Sequence, residues 1–409
     1  MKQPIRDRHR LMSTGGLAAM MVSALLITAC GSSAPKPAGL EGTHSGSGES
    51  QQERIESQQA KSSLIPAAGS FLAGKHTVSL IGSTTPANGD INPYAIWPVA
   101  VNAGSVRAGD VLVDNFNNRS NDQGTGTTIV TMHPDGKETV FAALPHKLPG
   151  CPGGVGLTTA MVQLRSGWVI VGSFPSSNGK IATGEAGCLI VLSSRGKVAG
   201  TIAGPQINGP WDATVKDNGN SAELFVANAH NGFSGDGLKT FAGGDVVRLT
   251  LSESPTSAPK VIATQVVASD IPERGDASVF VKGPTGLALS PAGRLYISDN
   301  VDNTIRSIPA ALTRNSSAGT GTTLSSGGQL AGPLGMALTP GGDILVANAL
   351  NGKIVEVAPD GRQLGEYYAD HNVGQTPPGN GDLFGVAVND AGNSILFVND
   401  GTNTLEQLH

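Results

Sequence analysis

The chain has 409 residues with a formal net charge of −5, and 4% are aromatic, 14% are charged, 56 are glycine and 25 are proline. A net-acidic chain without extended basic clusters is a poor partner for nucleic acid. Glycine and proline spread along the chain, with no sustained helical periodicity, exclude a mainly helical protein and leave length for one large β domain.

The first thirty residues read as a targeting segment. Lys2, Arg6, Arg8 and Arg10 form a basic head, and LAAMMVSALLITA (residues 17–29) is an apolar run too short to span a bilayer with ease. It leads into Ile27, Thr28, Ala29 and Cys30, which resembles the lipobox of bacterial lipoproteins. That resemblance implies a signal peptide over 1–29 and lipidation at Cys30. With Gly31 rather than aspartate after the cysteine, it also implies outer-membrane anchoring, facing the periplasm or the cell surface. Residues 30–72, rich in Ser, Gly, Pro and Gln, bury too little apolar surface to order themselves and read as a flexible tether.

From residue 73 the chain reads as strands and turns. HTVSLIG (76–82) is a strand with no partner nearby in sequence. Six similar strands follow: DVLVDN (110–115), WVIVGS (168–173), ELFVAN (223–228), RLYISD (294–299), DILVAN (343–348) and SILFVN (394–399). They are spaced about 50 to 70 residues apart, the period of a propeller blade with loops of varied length. Each follows an apolar segment, such as GPTGLALS or GPLGMALT, and precedes a third strand, such as CLIVLS or KIVEVA. A fourth follows a Pro-Asp-Gly turn in HPDGKETVFAAL and APDGRQLGEYY. The sixth unit stops after its third strand, so the strand at 76–82 is expected to complete it and close the ring. The predicted fold is all-β: a six-bladed propeller of four-stranded antiparallel blades over residues 73–409.

GPTGLALSPAGRLYISDNVDNTIRSI and GPLGMALTPGGDILVANALNGKIVEV resemble NHL repeats, an architecture shared with gluconolactonase-type propellers and virginiamycin B lyase. The resemblance implies two alternatives on one face of the propeller. The first is a binding or scaffold module for a protein or small molecule. The second is a divalent-metal-dependent hydrolase, lactonase-like, or a lyase. A monomeric domain is expected in either case.

The second strands end on Asn115, Ser173, Asn228, Asp299, Asn348 and Asn399, expected to gather around the axis near the starts of the inner strands, at Tyr94, Thr159, Trp211, Asp212, Thr285, Leu334 and Phe384. Oxygen-rich side chains converging there could hold calcium, or else bond the turns that follow them. Resemblance to the lactonases places a metal ligand at Asp299, with Asp212 and Asn228 as further candidates. Thr285, however, stands where that family has asparagine. Asp212 is unusual by itself: the equivalent positions are Ala95, Gly286, Gly335 and Gly385, and a carboxylate there is costly unless it meets water, a ligand or backbone donors. His230, in the long HNGFSGDGLKTFAGGD loop, is a candidate base, and the loop a candidate lid. Ser234 lacks a serine-hydrolase frame. Cys151 and Cys188 are expected to bridge, or else to be separate thiols.

Overall fold

The computed structural model describes residues 66–231, 238–277 and 279–409. The expected targeting segment, Cys30, most of the expected tether and Ser234 therefore lie outside the described residues. Six antiparallel sheets follow in chain order as blades of a propeller. Blade 1 is built from Ile91–Pro98, Val111–Asn117, Thr128–Met132 and Glu138–Ala143, and blade 2 from Leu157–Gln163, Val169–Ser173, Cys188–Leu192 and Val198–Ile202. Blade 4 runs from Pro284 to Ser326, blade 5 from Pro333 to Tyr368, and blade 6 starts at Leu383.

The ring closes as the repeat arithmetic requires. Val78–Ser83 pairs antiparallel with the last strand, Thr404–Leu408, with Val78 opposite Leu408 and Ser83 opposite Thr404. This makes a strand from before blade 1 the outer strand of blade 6 and covers the edge the last strand would expose. Packing begins ahead of residue 73. The Ala67 N–H donates to the Leu364 carbonyl (2.7 Å), Phe71 and Leu72 donate to the two oxygens of Glu356 (2.7 and 2.8 Å), and Leu72 is 1% exposed.

Blade 3 departs from the four-strand pattern. After Pro210–Asp217 and Ser221–Asn228 come two long strands, Phe241–Ser254 and Ser257–Asp276, and a fifth short one, Phe280–Lys282, which folds back on Arg274–Asp276. The turn between the long strands extends the blade well past its neighbours. The return strand carries Phe280, at φ 66°, into the interior.

The core is divided into layers between successive blades. One joins Leu112 and Ile129 of blade 1 to Met161 and Val171 of blade 2, and another joins Leu345 and Ile354 of blade 5 to Phe397 and Leu408 of blade 6. Sandwiched on both faces, most second strands are buried at every position (VIVGS, LYISD, ILVAN, ILFVN), so they read as continuous apolar runs rather than alternating ones. Cys151 and Cys188 are bridged, with Cα atoms 5.2 Å apart. Both lie inside the layer between blades 1 and 2, so the bridge belongs to the core rather than to an exposed rim.

The inner strands crowd the axis. A Cβ at Gly286 would strike the Leu334 carbonyl of the next blade, and one at Gly385 would strike that of Tyr94. Glycine here keeps neighbouring backbones at their native distance. At Gly200, in an outer strand, an added methyl would meet nothing within 4 Å. Gly286→Ala and Gly385→Ala should each destabilise the domain by about 1–3 kcal/mol, as overpacking does, whereas Gly200→Ala should be neutral or slightly stabilising. Denaturant titration of the three variants measures the contrast.

Candidate functional site

The inner strands start, and the second strands end, on one face, and the residues expected to gather there are buried. Asn115, Ser173, Asn228, Asp299 and Asn348 are 0% exposed and Asn399 is 5%. Their side chains hold loops. Asn115 Nδ2 donates to the Thr84 carbonyl (3.0 Å), Asn228 Nδ2 to that of Gln206 (3.0 Å) and Asn348 Nδ2 to that of Gln329 (2.7 Å). Ser173 Oγ accepts from the Gly156 N–H (3.1 Å), and Asn399 Oδ1 accepts from Thr402 (3.3 Å). In blades 1, 2, 3 and 5 the bond runs back to the segment entering the same blade, which pins the interblade crossing.

Asp299 is committed to other partners. Its Oδ2 receives Arg306 Nε (2.9 Å) and Nη2 (2.8 Å), and its Oδ1 receives the Val301 and Asp302 amides (3.1 and 3.3 Å). Asn228 is bonded to Asp245 (2.8 Å) as well as to Gln206. Among the described residues no three histidine, cysteine, aspartate or glutamate side chains converge as a metal site. Oδ1 of Asn115, Asn228 and Asn348 is buried without a hydrogen-bond partner, but Asp299, the expected anionic ligand among the six to eight oxygens that calcium takes, is already neutralised. The buried guanidinium of Arg306 already occupies the acidic position.

The axis on this face is filled by rings. Tyr94 stacks on Phe384 (centroids 4.4 Å) and meets Trp211 edge-on (5.7 Å). Phe116 packs against Trp211 and Phe280 (5.4 and 5.7 Å), and Phe174 against Phe280 (5.4 Å). Leu334 joins the same cluster, and each of these side chains is at most 5% exposed. His230 is fully buried beside it, between Phe174 and Phe241, and at φ 80° donates its N–H to Glu273. That places the expected base within the packed interior, off the axis. Residues 232–237 of the expected lid lie outside the described residues.

Below the plug the axis is open. A cavity of ≈ 260 Å³ is lined by all six inner strands, from Tyr94, Thr159, Asp212 and Phe384 at the plug to Pro98, Leu289, Leu338 and Val388 where those strands end. Most of its lining side chains are apolar, Ile96, Met161, Leu287, Met336 and Val386 among them, while Thr159, Thr214 and backbone groups make about half of the exposed wall polar. The one charged side chain among the lining residues is Asp212, partly exposed. Its Oδ2 accepts the Leu287 N–H of blade 4 (2.6 Å), while the neighbouring Thr159 hydroxyl donates to the Trp211 carbonyl (2.6 Å). Burial pushes the Asp212 carboxyl up to about 7 despite the Leu287 N–H.

A second carboxyl stands behind it. Asp114 is 0% exposed; its Oδ1 accepts the Ala95 N–H (2.8 Å), and its Oδ2 has no hydrogen-bond partner. Burial, with the nearby Asp212 charge adding, pushes Asp114 up to about 8. Burial also raises the Tyr94 phenol, with Asp400, Asp212 and Asp114 contributing. Asp114 was legible in principle: its counterparts Gly172, Ala227, Ser298, Ala347 and Val398 are all small or apolar. Glu273, which caps the His230 and Asn231 amides, had no comparable signal because it lies near the end of the unusually long strand Ser257–Asp276, beyond the length of the fourth strands in the other blades.

Neither a protein-family model nor a curated protein sequence matches the chain. Solved structures do. A gluconolactonase from Xanthomonas campestris aligns at 13% identity over 85% of this chain and 93% of its own, with TM-score 0.52. A calcium-binding regucalcin from Agrobacterium tumefaciens aligns at 14% identity over 81% and 93%, with TM-score 0.49. Virginiamycin B lyase from Staphylococcus aureus aligns at 14% over 81% and 99%, with TM-score 0.45. At such identities the likeness is one of fold, and propellers of this fold host both binding and enzymatic roles.

Burial raises many carboxyls above their unfolded values, six of them furthest: Asp114 and Glu273 to about 8, Asp212 and Asp400 to about 7, and Asp245 and Asp370 to about 6. A raised acid holds its proton in the folded state, so its stabilising effect is complete below the unfolded value. The effect is lost as pH rises through the folded value. Calorimetry should therefore find a higher melting temperature at about pH 5 than at about pH 8.5, and Asp114→Asn should flatten the profile.

Proposed function

We propose that this protein is a lipid-anchored envelope propeller that binds a small amine in its axial channel and carries out no chemistry on it. The ligand enters by the face on which the inner strands end. The observation that carries the reading is the single partly exposed carboxylate of Asp212 at the closed end of a channel lined mainly by apolar side chains. An ammonium group placed there meets a charge already oriented by the Leu287 N–H, while its hydrocarbon body covers Met161, Leu287, Met336 and Val386. Mostly apolar side chains with a few placed polar groups, here Asp212, Thr159 and Thr214, are the usual form of a small-molecule site. The opposite mouth, where a lactonase-like reaction was the alternative, supports it less: its rings pack on one another, and its acid is held by Arg306.

Calorimetric titration of the purified protein with octylamine tests the reading. Binding should weaken about tenfold to a hundredfold in Asp212→Asn, the range for a lost charged hydrogen bond. It should also weaken as pH falls below about 7, because protonated Asp212 loses its charge. Equal binding by wild type and Asp212→Asn would reject it. The anchor is tested separately: Cys30→Ser should move the protein from the membrane fraction to the soluble envelope fraction.

A further inference from the structure

We infer that the ligand is a zwitterion, an ω-amino acid or similarly extended molecule whose anionic end is held at the channel rim by Arg165, Lys216 and Gln163. This rests on the channel reading above. The channel widens into a bowl of ≈ 650 Å³ that shares Trp97, Pro98 and Leu289 with it, so the two spaces are consecutive. Two strands carry the path outward. On Pro210–Asp217, residues Asp212, Thr214 and Lys216 occupy alternate positions and so share one side. On Leu157–Gln163, Thr159, Met161 and Gln163 do the same, and Arg165 follows just beyond. All of these residues line one or the other cavity.

The chemistry reverses along that path. The inner end presents an acceptor, Asp212, whereas the rim presents donors. Arg165 and Lys216 are exposed, and among the described residues neither forms an ion pair. Asp217, the acid in the bowl, is turned to backbone: its Oδ2 accepts the Arg165 N–H (2.5 Å) and its Oδ1 the Gly219 N–H (2.6 Å). Glu253 lies beside Asp217 and accepts the Ser166 hydroxyl (2.7 Å). Gln163 lines the bowl at 6% exposure, and its Nε2 is buried without a hydrogen-bond partner. An unmet buried donor is unfavourable in a folded protein unless something accepts from it. A carboxylate between Gln163 and the two cations supplies the acceptor and the counter-charge together. Asp212 and Lys216 are four residue steps apart along the strand, a rise of about 13 Å, which suits an extended chain of about eight carbons between the charged ends.

Calorimetry on the full chain in detergent, with ω-aminooctanoate, octylamine and octanoate as probes, tests the inference. Aminooctanoate should bind about tenfold more tightly than octylamine, the scale of one added charged contact. The preference should shrink at high salt and collapse in the Arg165→Ala, Lys216→Ala double variant and in Gln163→Leu. The double variant alters exposed side chains, and an unchanged melting temperature would show it folded. Octylamine binding without a preference for aminooctanoate would overturn the zwitterion and leave the amine channel standing. A preference that survives both variants would overturn the rim assignment. No binding by either amine would overturn the channel reading and this inference together.

Discussion

The approach of six inner strands to one axis governs the molecule. Where neighbouring blades pass within van der Waals contact, the backbone of one meets the Cα of the next, and Gly286, Gly335 and Gly385 leave no room for a methyl group. This crowding makes Asp212 consequential. A carboxylate in that ring has no free volume to retreat into, so it takes the Leu287 amide of the next blade and presents its remaining surface to the channel. Thr159 and Thr285 solve the same problem with hydroxyls, bonding the Trp211 and Pro333 carbonyls across the blade boundary.

The same axis is finished differently at its two ends. On the face where second strands end, large rings from blades 1, 2, 3 and 6 and from the short return strand at Phe280 meet edge to face and fill it. Aromatic packing of this kind gives both area and orientation, and it converts an axial tunnel into a blind channel. The charge pattern follows from that closure. Asp114 and Asp212 lie together in a poorly solvated region where burial favours their neutral forms, and the Asp212 charge further discourages ionisation of Asp114. Fold neighbours share the blade plan with this chain, but a plan of blades does not locate a site.

Legibility differed between the two levels. The six-blade count, the strand order and the closing strand at residues 78–83 were readable because hydrophobic runs and turn residues recur locally and because an unpaired terminal strand must find an edge. The oddity of Asp212 was readable from its small counterparts. Which face would hold a site was not. The Asn and Asp residues ending the second strands present the same sequence pattern whether they ligate a metal or pin a loop. Their choice depends on carbonyls such as Thr84 and Gln329, well away in the chain, and for Asp299 on the guanidinium of Arg306.

The sequence by itself determined the architecture, because periodicity, turn chemistry and the need to cover a sheet edge act over short distances or on chain ends. Tertiary structure alone decided the direction in which the axis opens. That outcome depends on Tyr94, Phe116, Phe174, Trp211, Phe280 and Phe384 meeting at one point from four blades, and no segment of the chain contains that convergence. It also decided that Gln163, Arg165 and Lys216 share one rim. They come from adjacent strand ends brought side by side by the ring, a proximity set by closure rather than by any local pattern.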